Sequence, residues 1–358
     1  MKNITRKIFN KYTGSLAGVA GSVLAAHVAL LQFPDLVSDP LEKYMKEHDI
    51  PLALVKDIDT SNIRVYDNDS ILAPMHGAAF KTQYAMKNSI WLHQAYYNGF
   101  MDVYNVGYDK GGATMFSDGA DTIIATYDET PFEYISRHTG IPVEDIEIDE
   151  KYTDLIRFKI LMHEISHIGW REYKSSCADY KPPTDEDSYT RSRETIADLD
   201  SIEPMKNIDV DMSKYILSFR ALTQGKGTVT SYNRENIISS HDTAVYLDAL
   251  LEGKECDDLP DFDGHDEDKA RLSNIMINYG ASAPYNFPDY QSESYSIYHI
   301  LLDFLENIDA HDDVAPRIKR TAELYVEGVE FFAPTRAAEI RAQRDLMNDN
   351  TNELVPSV

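Results

Sequence analysis

The stretch Leu161-Met162-His163-Glu164-Ile165-Ser166-His167-Ile168-Gly169-Trp170 holds H-E-x-x-H within a run whose apolar residues recur at helical spacing. Residues four apart share one face of an α-helix, so His163 and His167 can aim two imidazoles at one zinc ion. Glu164 then stands beside them as a base for a zinc-activated water. Thr153 reads as the N-cap of this helix and Gly169 as its stop. One apolar stripe runs through Ile156, Ile160, His163 and His167, and a second through Leu155, Phe158, Met162 and Ile165. A helix apolar on two sides is expected to be buried. Two histidines inside it need partners for their ring nitrogens, which a metal and neighbouring carboxylates would supply.

Two histidines are not a complete zinc site; at least one more protein ligand is required, with a position left open for water. Ser192-Arg193-Glu194-Thr195-Ile196-Ala197-Asp198-Leu199-Asp200 reads as another helix in which Glu194 and Asp198 share a face. Glu194 is the candidate third ligand. Asp198 is the candidate outer acceptor for a ligand histidine N–H, and Asp200 falls off that face.

Over roughly residues 120–205 the chain resembles the zincin metallopeptidases, and among them the gluzincins. There, H-E-x-x-H is completed by Glu from an E-x-x-x-D or E-x-x-A-D segment on a following helix, and Glu194-Thr195-Ile196-Ala197-Asp198 fits this position by position. The resemblance implies that His163, His167 and Glu194 bind one Zn2+, that Glu164 is the general base and that Asp198 orients a histidine. The metzincin extension does not fit: its Gly and third His positions hold Trp170 and Tyr173. An Asp ligand, Asp198 or Asp200, is the alternative within the zincins. The implied fold is α+β and zincin-like, with a small mixed sheet beside the active-site helix. The implied function is a zinc metallopeptidase acting on a peptide or protein. A zinc amidohydrolase of a non-peptide substrate and a non-catalytic zinc-binding interaction protein are the alternatives. His241, Tyr232 and Tyr246 are candidate oxyanion donors.

The chain has 358 residues, 43% hydrophobic, with a formal net charge of -26. That is ample for a real core, and so acidic a surface argues against nucleic acid as a partner. Residues 1–34 contain Lys2, Arg6, Lys7 and Lys11 but no acidic residue, and Leu16 to Leu31 is apolar. This is the layout of a signal peptide, with Val23-Leu24-Ala25 as a cleavage signal. Export to the periplasm or the extracellular space is therefore expected, with a cytoplasmic protein as the alternative. Membrane attachment is expected only if the segment stays uncleaved. Cys177 and Cys256 have no C-x-x-C spacing, which excludes a cysteine zinc site and leaves their pairing open.

Beyond that leader, 35–210 is expected to be the catalytic domain, 211–347 a helical C-terminal subdomain and 348–358 a tail. Strands are expected at Ile63-Arg64-Val65-Tyr66 and Thr122-Ile123-Ile124-Ala125-Thr126-Tyr127, the latter lining a substrate cleft in the zincin scheme. Helices are expected at Leu41 to Glu47 and Pro131 to His138. Ser89 to Tyr97 suits strand or helix. Past residue 210 the helical stretches are Tyr215 to Leu222, Asn236 to Leu251, Lys269 to Ile277, Tyr295 to Ile308, Arg317 to Phe332 and Arg336 to Met347.

Overall fold

A computed structural model describes residues 29, 31–33, 38–56, 60–61, 63–67, 72–87, 92–105, 113–117, 122–126, 130–169, 186–205, 211–230, 243–253, 271–272, 274, 293–308 and 316–353. The expected leader lies almost wholly outside these residues, as do Cys177 and Cys256 and nearly all of the helix expected at Lys269 to Ile277. Among the described residues no helix is long and apolar enough to cross a membrane. The chain divides into two compact units, 1–129 and 130–358.

Four short strands form the sheet of the first unit: β1 (Asp39–Pro40), β2 (Ile63–Asp67), β3 (Ala113–Ser117) and β4 (Thr122–Thr126). Their spatial order is β1-β2-β4-β3. The centre is the parallel pair β2 and β4, which sets Val65 opposite Ile124, both fully buried. β1 and β3 add to it antiparallel. A parallel pair cannot be joined by a hairpin, and its crossover here carries two helices, α2 (Leu72–Lys87) and α3 (Leu92–Asn105), which follow the small α1 (Leu41–Glu47). The Ser89 to Tyr97 segment, open between strand and helix in sequence, thus enters α3. α2 has no counterpart among the sequence expectations. Its buried residues include Ala73, Gly77, Ala78 and Ala79, small side chains that give little apolar periodicity.

Those small residues let α2 and α3 approach closely. A Cβ placed on Gly99 would lie 2.5 Å from the Gly77 carbonyl oxygen and 3.0 Å from Ala78 Cα. Both neighbours are backbone and cannot swing aside.

Helices account for every regular element described in the second unit: α4 (Pro131–Thr139), α5 (Glu150–Gly169), α6 (Glu186–Ile202), α7 (Met212–Thr230), α8 (Ala244–Leu251), α9 (Glu293–Glu306), α10 (Pro316–Phe332) and α11 (Pro334–Glu353). α4 opens on a capping box between Thr130 and Glu133 and closes at Gly140, whose φ of 79° suits glycine. α5 begins three residues before the expected Thr153 cap. Asp149 precedes it, and its carboxylate accepts from the Lys151 N–H at 3.1 Å, which leaves Thr153 inside the helix. Leu155, Phe158, Met162 and Ile165 bury the second apolar stripe of α5; on the first, Ile156 and His163 are buried while Ile160 and His167 are partly so.

Around it, Ile196, Leu199 and Ile202 of α6, Ile216, Phe219 and Leu222 of α7, and Leu324, Val329 and Phe332 of α10 supply core. The loop leading into α5 is tied to the end of the chain. Glu147 N–H donates to the Phe332 carbonyl at 2.7 Å, while its carboxylate accepts from Thr335 N–H at 3.1 Å and Thr335 Oγ1 at 3.0 Å. α11 runs through Glu353, so its last turns take in part of the expected tail.

The expected zincin-like α+β architecture is overturned, because the described residues are mainly helical. The β-branched run at Thr122–Thr126 does form a strand, but its partners are β2 and β3 within the first unit. The H-E-x-x-H helix belongs to the second unit, where no described residue is in a strand.

Because its clash is with backbone, Gly99→Ala is expected to lower stability by about 1–2 kcal/mol. Overpacking, typically about 1–3 kcal/mol, outweighs alanine's helix-propensity gain of about 1 kcal/mol. Urea denaturation of the purified variant measures this; equal or greater stability would show that α2 and α3 can move apart freely.

Candidate metal centre

α5 and α6 pack side by side, and their facing sides bring His163, His167 and Glu194 together. One ligand-type atom from each lies within 4.8 Å of the other two. His163 Nε2 is 3.0 Å from Glu194 Oε2, and His167 Nε2 is 3.4 Å from Glu194 Oε1. The imidazoles stand edge to face, with centroids 4.8 Å apart. A zinc tetrahedron with bonds of about 2.0–2.1 Å has edges of about 3.3 Å, so these separations and the two-imidazole, one-carboxylate donor set fit that ion. All three side chains are at least largely buried.

Glu164 follows the first histidine on α5. Burial raises its carboxyl above the usual carboxylate range, while His163 and His167 pull the other way. A carboxylate adjusted upward is better matched to taking up a proton near neutral pH.

Asp198 lies one turn beyond Glu194 on α6 and is fully buried. Its Oδ1 is 2.9 Å from His163 Nδ1. The same carboxylate accepts from Lys159 Nζ at 2.9 Å, from Arg220 Nε at 2.5 Å and Nη2 at 2.8 Å, and from Thr243 Oγ1 at 3.4 Å. Lys159 and Arg220 are themselves 4% and 6% exposed. Burial alone would raise the Asp198 carboxyl, but Arg220, Lys159 and His163 outweigh it and hold the group well below its ordinary value. His163 shows the complementary balance. Burial opposes its charge, yet Asp198 and Glu194 raise its pKa overall.

Asp200, the alternative acidic ligand, points elsewhere: its Oδ2 accepts from Ser166 Oγ at 3.0 Å. Tyr246 is buried within α8, and His241 and Tyr232 lie outside the described residues.

Lys159, Arg220 and Thr243 did not emerge from the sequence as members of this cluster. Lys159 left one legible sign, a lone ammonium one turn before His163 in an otherwise apolar helix segment. Arg220 and Thr243 left none, since their relation to Asp198 exists only once α7 and α8 pack against α6. No family model matches the chain, and neither the characterised proteins nor the solved structures searched include a significant match.

Asp198→Ala would strand two buried cations without their counter-charge. The expected loss is about 3–5 kcal/mol of stability in metal-free protein, the range for removing one partner of a buried ion pair. Thermal unfolding in the presence of a chelator reads it, and a loss below about 1 kcal/mol would mean that water or another group readily replaces the carboxylate.

Proposed function

We propose that the chain is a zinc-dependent hydrolase of peptide bonds. The observation that carries this reading is the approach of His163 Nε2 and His167 Nε2 to the Glu194 carboxylate, directly beside Glu164. In it, His163, His167 and Glu194 hold the ion. Zinc, when bound, supplies a Lewis acid that acidifies water and polarises the scissile carbonyl. Glu164 takes the proton from the attacking water and passes it to the leaving nitrogen. Asp198 accepts from His163 Nδ1–H, which fixes the tautomer that leaves Nε2 available as a ligand.

Glu164 favours a catalytic over a purely structural site, since a structural zinc needs no base and tends to fill its fourth position with protein. Natively purified protein should contain about one zinc per chain, and Glu194→Ala should lose most of it. Glu164→Gln should keep the zinc and the fold while losing at least about a hundredfold in peptide hydrolysis. Metal content near zero in wild type would refute a zinc centre. Hydrolysis by Glu164→Gln within a few-fold of wild type would refute this base.

A further inference from the structure

We propose that Lys159 holds the zinc affinity of this centre down by competing with His163 for one oxygen of Asp198. The inference rests on the ligand reading above and concerns a residue outside the ligand set. Three donors crowd Asp198 Oδ1: Lys159 Nζ at 2.9 Å, Arg220 Nη2 at 2.8 Å and His163 Nδ1 at 2.9 Å. A carboxylate oxygen offers about two lone-pair sites, so the three cannot all be well directed at once.

Arg220 is not the dispensable member. Its Nε and Nη2 grip both oxygens of Asp198, a two-point hold that sets the plane of the carboxylate. Lys159 makes a single contact and adds no orientation that Arg220 lacks. It sits four residues before His163 on α5, so its ammonium rides on the ligand helix beside the first imidazole. Two consequences of its removal have the same sign. Asp198 Oδ1 becomes free to accept fully from His163 Nδ1–H, which makes the imidazole a stronger ligand. A cationic group close to an incoming cation also disappears. Lys159 is thus a positioning residue that acts through Asp198, and its effect is a restraint.

The test is zinc affinity, measured by competition against a chromophoric chelator, for the full-length wild type, Lys159→Met, Lys159→Gln and Glu194→Ala. Lys159→Met keeps the length of the stem without the ammonium and should bind zinc about tenfold more tightly, within the range that outer partners contribute. Lys159→Gln retains a donor without the charge and should also tighten, by less. A destabilised or misassembled centre would bind zinc more weakly, so tightening cannot be produced by structural damage. Wild type that binds zinc and loses it on Glu194→Ala, together with Lys159 variants of unchanged or weaker affinity, would overturn this inference alone. Wild type that binds no zinc would overturn both this inference and the proposed function. Loss of cooperative thermal unfolding in both Lys159 variants would make the residue a structural member of the core and would also overturn the restraint.

Discussion

A single carboxylate with no access to water organises the second unit. Asp198 on α6 gathers Lys159 and His163 from α5, Arg220 from α7 and the Thr243 hydroxyl that precedes α8. Moving two cations and an anion out of water is costly, and only close mutual contact offsets that cost. The geometry is therefore all-or-nothing. Each helix must arrive with its polar group in register, or a charge is left buried in hydrocarbon. Apolar packing tolerates small slips between helices, but a forked guanidinium on a carboxylate does not. The cluster contributes little that is sure to be net stabilising, yet it specifies which faces of α5, α6, α7 and α8 meet.

The trio of His163, His167 and Glu194 inherits that specification. His163 Nδ1 lies 2.9 Å from Asp198 Oδ1, and Glu194 lies one turn from Asp198 on the same helix face. The approach of the imidazoles to Glu194 thus follows the packing of α5 on α6.

Local spacing made part of this legible. The four-residue intervals between His163 and His167, and between Glu194 and Asp198, already define faces of helices, and α5 and α6 present those faces to each other. The start of α5 differs from the Thr153 cap that the sequence suggests, because Asp149 stands earlier and its carboxylate accepts from the Lys151 N–H. The architecture was not legible. A β-branched run such as Thr122–Thr126 announces a strand without naming its partners, and the family resemblance implied an α+β balance that the mainly helical described residues do not have. α2 was missed for a related reason, since its contact with α3 depends on what is absent from Gly77 and Gly99. Arg220 lay beyond reach because a solitary arginine in an amphipathic helix looks the same whether it meets water or a buried acid.

The tie between Glu147 and the start of α11 spans 188 residues of chain. Its consequence lies in synthesis. A ribosome delivers Glu147 and the whole of α5 long before Thr335 emerges, so the entrance to the histidine helix waits for most of the remaining polypeptide before it can be fastened. Contacts of such sequence separation slow folding, and they expose apolar helix faces in the meantime. A nascent chain of this protein therefore carries His163 and His167 for some time in an unfinished setting, until Thr335 arrives to fasten the entrance to their helix.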